Sequence, residues 1–255
     1  MCPDPIFGFI YPYGLMIGIG LAVCFLLFWF FCDRLQFEKK YTNFITIDAV
    51  VSIAFGFFCA ALTQSIYNYI ENPSAGFKFG TSINFLGGLL GGAVFFLIIY
   101  FIFRKKFTNH FLEFIAIAPV CITVAHGFGR IGCFLSGCCY GIETDSFLGV
   151  QFPHLAHKVL PTNLFEAIFL FVLFGVLLLL TLKNKYRYNM PIYLIGYGVW
   201  RFVIEFFRGD HRGELITGLS PAQFWSLLLI VGGISLLIYY IVYYKKKNKI
   251  TEIKK

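Results

Sequence analysis

Arg130 and Arg201 are the only basic residues that fall inside apolar segments long enough to cross a membrane. The other nineteen Lys and Arg residues lie in connecting segments or near the C-terminus. A guanidinium in hydrocarbon costs several kcal/mol, and its pKa is too high for it to lose its proton. We therefore expect both side chains to bind an anionic group. Because a planar guanidinium can donate two hydrogen bonds to two oxygens, a phosphodiester suits it well.

Other polar residues accompany the two arginines. A stripe with spacings of four, four and three residues lies on one face of a predicted helix. Its members are Tyr197, Arg201, Glu205 and Arg208. Glu205 could orient Arg201 for a ligand, or the two could form an i, i+4 ion pair that only stabilises the helix. His126 lies one helical turn before Arg130, on the same face.

The elements that position these residues are predicted membrane helices. The chain is 58% hydrophobic and 20% aromatic, with a mean hydropathy of +0.76, which excludes a water-soluble domain. We expect an all-α polytopic membrane protein with seven transmembrane helices in a single domain over residues 1–255. The N-terminus lacks the basic region and cleavage site of a secretory signal, so we expect the first span to be retained. The predicted spans are Tyr13–Cys32, Ile47–Ile70, Ile83–Phe103, Leu112–Leu135, Asn163–Leu182, Pro191–Phe207 and Pro221–Tyr244.

The charges of the connecting segments predict the orientation. Fifteen Lys and Arg residues fall on the side that includes the C-terminal tail. The opposite side carries four, which are Lys78, Lys158, Arg208 and Arg212. By the positive-inside rule the N-terminus is outside and the C-terminus is cytoplasmic, which places both intramembrane arginines in the outer half of the membrane. The net charge of +8 matches an anionic inner leaflet, and nucleic-acid binding is not needed to explain it.

Residues 129–141 resemble a family signature. They read GRIGCFLSGCCYG, and the signature of prolipoprotein diacylglyceryl transferases is G-R-x-G-N-F-x-N-x-E-x-x-G. Five further segments resemble family motifs in the same order along the chain. They are YGL at 13–15, FLGG at 85–88, PTNLFEA at 161–167, YG-x-x-R-x-x-x-EFFR at 197–208, and the Gln and Ser at positions 223 and 226.

The resemblance implies a reaction. The family transfers the diacylglyceryl group of phosphatidylglycerol to the lipobox cysteine thiol of an exported prolipoprotein, forming a thioether and releasing glycerol phosphate. The implied partners are phosphatidylglycerol, prolipoprotein signal peptides and the lipid bilayer, and the implied location is the bacterial cytoplasmic (inner) membrane. No cofactor is implied.

The resemblance also assigns residues to this reaction. Arg130 and Arg201 would bind the phosphate and stabilise the leaving group, with Tyr197 as a hydrogen-bond donor to the headgroup. Glycines would permit the tight turn at the outer end of the fourth span. The candidate substrate-binding residues are Tyr13, Arg130, Arg201, Glu205, Gly137, Gly141 and Arg208.

The chain departs from the family pattern at four polar positions. Leu86 stands in place of the family histidine that is often assigned a role in activating the thiol. Cys133, Ser136 and Cys138 stand in place of two asparagines and a glutamate. His126 is a candidate catalytic residue because it could replace the lost base. The alternative is a histidine that packs between helices and bonds to a backbone carbonyl.

Three cysteines, Cys133, Cys138 and Cys139, cluster where the outer surface begins. Three interpretations remain open: small-residue packing, a disulfide or redox pair, and a metal site completed by His126, His154 or His157. No metal is assigned, because the spacing fits no standard zinc pattern. An alternative function follows, in which a family paralogue acts as an outer-face thiol-redox protein or handles phospholipid headgroups in another way. A transporter is disfavoured, since no internal repeat is visible.

Overall fold

The computed structural model describes residues 11–80, 84–107, 110–209 and 219–253. Within these residues the fold is all-α, with isolated β-bridges and no sheet. Seven helices are long and apolar enough to cross a membrane, which confirms the predicted fold class. They are α1 (Pro12–Arg34), α2 (Lys39–Glu71), α3 (Phe85–Phe103), α4 (Phe111–Ser136), α5 (Thr162–Leu182), α6 (Asn189–Ile204) and α7 (Pro221–Ile253). The sixth span, Tyr186–Phe207, reaches its length with the 3₁₀ turns on either side of α6.

Several helix ends differ from the predicted spans. Helix α7 continues to Ile253, past the predicted Tyr244. Helix α2 begins at Lys39, well before the predicted Ile47. The prediction followed the apolar residues that fit the hydrocarbon core, and it therefore missed the more polar turns with which the helix begins. Helix α6 ends at Ile204, and a single 3₁₀ turn, Glu205–Phe207, continues the chain to the predicted end of the span. Ile83, the predicted start of the third span, and Arg212, one of the predicted outer charges, lie outside the described residues.

The chain forms two compact units. The first consists of Met1–Phe30 and Phe111–Lys255, and it contains every candidate site residue. Within it α4 packs on α5 and α6, and α6 packs on α7. Close helix approach depends on glycine: a Cβ on Gly20 of α1 would lie 3.0 Å from the Ala125 carbonyl oxygen of α4. Small residues at such contacts are typical of membrane helices, where lipid tails leave little hydrophobic drive for association.

Asn189 ties three helices of the first unit together. This wholly buried side chain donates hydrogen bonds to the Ala116 carbonyl oxygen (3.0 Å) and to the Thr181 hydroxyl (2.7 Å). The two acceptors belong to α4 and α5, and the donor begins α6. A polar contact of this kind between membrane helices is worth about 0.6–2 kcal/mol. It fixes the register in which α5 and α6 face α4.

The second unit, Phe31–His110, contains the packed pair α2 and α3. A Cβ on Gly88 would lie 2.8 Å from the Ala60 Cβ, and one on Gly92 would lie 3.0 Å from the Ser52 carbonyl oxygen. The glycines of α3 thus let the two backbones approach closely. Leu86, the position of the missing family histidine, lies in the first turn of α3.

Candidate active site

The buried carboxylate of Glu166 is the centre of a polar cluster in the first unit. Glu166 is 1% exposed and lies in the second turn of α5. Its Oε2 is 3.1 Å from Arg130 Nε, and its Oε1 accepts a hydrogen bond of 3.1 Å from the Tyr197 hydroxyl. His126 Nε2 lies 3.8 Å from the same Oε1, and its ring meets the Tyr197 ring edge-on at 5.2 Å. One acid from α5 therefore joins side chains of α4 and α6.

A second carboxylate, Glu205, organises the other end of the cluster. Its Oε2 lies 2.7 Å from Arg201 Nη2 and 3.9 Å from Arg208 Nε. Its Oε1 accepts a hydrogen bond of 3.0 Å from the Ser220 hydroxyl. Tyr197, which donates to Glu166, and Arg201, which pairs with Glu205, lie one turn apart on α6, so the two carboxylates belong to one site.

The arginines keep donors that the carboxylates do not use. Arg130 Nε lies close to the Glu166 carboxylate but is not aligned to donate a hydrogen bond to it. Likewise, Glu205 Oε2 lies close to Arg201 Nη2 but is not aligned to accept a hydrogen bond from it. Nη1 of Arg201 is buried and has no hydrogen-bond partner among the described residues. A buried donor without a partner costs about 1–3 kcal/mol, more when it is charged. A ligand that accepts hydrogen bonds would recover that free energy.

The cluster pairs guanidinium groups with carboxylates. Arg130 faces Glu166, and Arg201 and Arg208 face Glu205. An anionic group such as a phosphodiester would accept a hydrogen bond from the Arg201 donor that Glu205 does not use, and the low dielectric of a buried site makes that attraction stronger than in water.

The N-terminus of α7 holds Glu205 in place. Ser220 precedes the helix, and its hydroxyl accepts a hydrogen bond of 3.2 Å from the Gln223 backbone N–H. In return the Gln223 side chain accepts one of 3.0 Å from the Ser220 N–H, which completes a capping box. The Ser220 hydroxyl also donates to Glu205, so the helix cap and the ion-pair cluster share one atom.

The turn after α4 brings the end of the signature segment back to the site. The Cys138 N–H donates to the Cys133 carbonyl, the Gly137 N–H donates to the Phe134 carbonyl, and Gly137 has a φ of 71°. These are the bonds of a Schellman motif, which needs a left-handed residue at the position of Gly137. Further along, Gly141 bridges to Arg208 across two extended segments.

Comparisons with known proteins identify the family. The family model described as prolipoprotein diacylglyceryl transferase matches residues 6–239. The chain belongs to this family. It is 37% identical over 239 residues, with 91% of both chains covered, to phosphatidylglycerol–prolipoprotein diacylglyceryl transferase 2 of Clostridium perfringens. The transferase of Clostridium tetani is 35% identical, with 88% of this chain and 91% of the relative covered, and that of Pseudoalteromonas atlantica is 31% identical, with 98% and 92% covered.

The structure brings the predicted residues of this family member together, with two corrections. The stripe Tyr197, Arg201, Glu205 and Arg208 does not continue as one helical face, because α6 ends at Ile204, yet ion pairs join Arg201, Glu205 and Arg208. Gly141 has no positive φ. A glycine is needed at position 141 for close packing and not for a turn, since a Cβ there would overlap the Phe207 carbonyl oxygen.

Two predicted residues have new neighbours. His126 contacts Glu166 and Tyr197, so the interpretation as a packing histidine bonded to a backbone carbonyl has no support among the described residues. Tyr13, in the first turn of α1, packs against α4, where its ring is 3.1 Å from the place a Cβ on Gly132 would occupy. Its hydroxyl also interacts electrostatically with Arg130.

Glu166 and Ser220 are site residues that the sequence analysis missed. Glu166 sits inside the fifth span, so the rule that singled out the two arginines, an ionisable residue at membrane depth, also applies to it. Ser220 carries the signal of a capping box, a serine followed three residues later by glutamine, with Pro221 between them at the first helical position.

The three clustered cysteines form a separate group beside Arg130. The sulfurs of Cys133, Cys138 and Cys139 all lie within 4.8 Å of one another. All three thiols are free. No histidine joins this group in the described part of the chain, so the alternative of a metal site completed by His126, His154 or His157 gains no support there.

Proposed function

We propose that this protein transfers the diacylglyceryl group of phosphatidylglycerol to the cysteine thiol of exported prolipoproteins, at the outer face of the bacterial cytoplasmic membrane. Membership of the family and relatives of that name at 35–37% identity over most of the chain support the reaction. Seven spanning helices support a multi-pass membrane protein. The observation that carries the proposal is the buried arginine cluster, in which Arg201 keeps a hydrogen-bond donor that Glu205 does not use.

Arg130 and Arg201 bind the phosphodiester of the lipid. Glu166 and Glu205 hold the two guanidinium groups in the cluster without using all of their hydrogen-bond donors. The phosphate oxygens accept hydrogen bonds from those donors, and the two guanidinium groups stabilise the additional negative charge on the leaving glycerol phosphate. Arg208 adds a further positive charge from the far side of Glu205.

The acceptor thiol is the nucleophile. Its sulfur attacks the glyceryl carbon that carries the phosphate ester, the carbon–sulfur bond forms as the carbon–oxygen bond breaks, and glycerol phosphate leaves with the electron pair. His126 takes the thiol proton, because it is the neutral base of the cluster and Glu166 stabilises the imidazolium that forms. The hydroxyls of Tyr197 and Tyr13 donate hydrogen bonds to the headgroup.

Two glycines shape the substrate-binding side of the cluster. Gly137 ends α4 in a left-handed conformation, which turns the chain back toward the site. Gly141 lets the segment after this turn lie directly against Phe207 and therefore next to Arg208.

The test uses membranes that contain the protein, phosphatidylglycerol and a lipobox peptide. We expect release of glycerol phosphate together with a thioether-linked diacylglyceryl peptide, measured by mass spectrometry. Arg130→Ala and Arg201→Ala should each abolish both products. Lys183→Ala removes a positive charge from the exposed segment after α5 and should leave both unchanged. Turnover that persists in both arginine variants would overturn the assignment.

A further inference from the structure

Cys133, Cys138 and Cys139 form a compact thiol group that the proposed transfer reaction does not use. Their sulfurs lie within 4.8 Å of one another, one at the end of α4 and two in the turn that follows. Cys133 is buried and the other two are half-buried. The remaining described cysteines, Cys24, Cys32, Cys59 and Cys121, are not part of this group.

The backbone of the turn helps to hold the sulfurs together. Cys139 adopts a φ of 59°, a left-handed conformation that costs a residue with a side chain about 1–2 kcal/mol. Two buried residues at the start of α5 fix this turn. Asn163 donates to the Cys138 carbonyl (2.7 Å), and Thr162 donates to the Cys139 carbonyl (3.1 Å).

The spacing suits a metal ion with three sulfur ligands. Thiolates bound to one metal at about 2.3 Å in a trigonal arrangement have sulfurs about 4.0 Å apart. The observed limit of 4.8 Å therefore requires only a small contraction. A single disulfide would use two of the three sulfurs and leave the third without a role.

The kind of metal follows from the ligands. Thiolates select soft cations such as Cu(I), and zinc takes four ligands in structural sites. No histidine, aspartate or glutamate completes a fourth position among the described residues. We propose that Cys133, Cys138 and Cys139 form a three-coordinate thiolate site for a soft d10 cation, Cu(I).

A positive charge lies near the thiols, because Arg130 precedes Cys133 by one turn of α4. Binding releases three protons to solvent and involves no electron transfer. The complex of Cu(I) with three thiolates carries two negative charges, and Arg130 stands beside it to offset them.

The experiment titrates the purified full-length protein, reduced and kept anaerobic in detergent, with Cu(I) held by a chromophoric chelator. We expect one Cu(I) per chain and, by X-ray absorption, three sulfurs at about 2.3 Å. Changing a residue that only supports a metal ligand weakens metal binding about 10- to 100-fold. Cys133→Ser, Cys138→Ser and Cys139→Ser each remove a ligand itself, so each should lower the Cu(I) affinity more than about 100-fold. Cys24→Ser and Cys121→Ser, which change cysteines outside the group, should bind as the wild type does.

A measurement on the wild type alone guards against variants that do not fold. Cu(I) should protect Cys138 and Cys139 from maleimide, and it should not protect Cys59, which is also partly exposed. Equal affinity in wild type and variants would overturn the proposal. So would four-coordinate zinc bound in preference to Cu(I), or a disulfide within the group in freshly purified protein. None of these results depends on transferase activity.

Discussion

At the scale of single residues, function rests on how buried charges are paired. A buried ion pair contributes little net stability. Removing one partner, however, leaves the other charge buried and uncompensated, which destabilises the protein by about 3–5 kcal/mol. Arg130 and Arg201 each have an internal carboxylate, yet neither carboxylate forms a forked pair of hydrogen bonds with its arginine. The carboxylates hold the arginines in position without using all of their hydrogen-bond donors, which is what a reversible anion site requires.

Glu166→Gln tests the role of the missed carboxylate. The change keeps an acceptor for Tyr197 but removes the charge that holds Arg130 and supports His126. We expect kcat to fall about 100-fold, which is the contribution of a positioned base, while KM for phosphatidylglycerol does not rise because the site becomes more positive. Glu113→Gln, in the first turn of α4, is the matched control in the same assay of thioether formation. A raised KM with unchanged kcat would contradict this role.

Arg201→Lys separates charge from hydrogen-bond geometry. Lysine keeps the positive charge near Glu205 but has no counterpart of the buried Nη1 donor. A hydrogen bond to a charged group is worth about 1.5–3 kcal/mol, so we expect kcat/KM for phosphatidylglycerol to fall about 10- to 150-fold. Arg34→Lys, at the exposed end of α1, should leave kcat/KM unchanged. If Arg201→Lys behaves as the wild type does, charge alone is sufficient.

At the scale of elements, hydropathy and spacing predict different parts of the structure. Apolar length predicts all seven helices, because hydrocarbon thickness sets how many residues must be apolar. Spacing within a helix predicts the pair Arg201 and Glu205. It cannot predict the pair Arg130 and Glu166, because that contact depends on the register between α4 and α5, which Asn189 and the helix-contact glycines determine.

The cap of α7 is an element that links stability to the site. Ser220→Ala removes the capping hydroxyl and the hydrogen bond to Glu205, so we expect the free energy of unfolding to fall by about 1 kcal/mol and transfer activity to decrease. Ser220→Thr keeps the hydroxyl and should restore both. Ser235→Ala removes a hydroxyl that bonds only within the exposed face of α7 and serves as control. Thermal unfolding and thioether formation are measured on the same preparations. A Ser220→Ala protein with wild-type melting and activity would refute this link.

The turn after α4 makes an independent prediction. Gly137→Ala places a Cβ 2.8 Å from the His154 ring at a φ of 71°, so we expect the free energy of unfolding to fall by at least about 1 kcal/mol. Gly175→Ala, inside α5 with nothing within 4 Å of its Cβ, should be neutral or slightly stabilising. Thermal unfolding of the two purified variants checks the contrast. Equal melting temperatures would show that the left-handed turn is not needed.

At the scale of the whole molecule, the sidedness of the membrane determines whether the cluster can meet an exported substrate. Helix lengths and contacts are the same in either orientation, so orientation rests on the distribution of Lys and Arg. The six basic residues that flank the ends of α3 and α5 all fall in segments predicted to be cytoplasmic; they are Arg104, Lys105, Lys106, Lys183, Lys185 and Arg187. The turn that carries Gly137 and Gly141 is at the opposite end of α4 from these charges, which predicts an outer-face site.

Reporter fusions at three sites test this orientation. Fusions after Lys106 and after Lys183 should give fluorescent green fluorescent protein and inactive alkaline phosphatase, because both sites are predicted to be cytoplasmic. A fusion after Asp145, in the segment between α4 and α5, should give the opposite pair of signals. The two reporters control for each other, since each is active on only one side of the membrane. The reverse pattern at all three sites would place the arginine cluster on the cytoplasmic side, where no exported prolipoprotein could reach it.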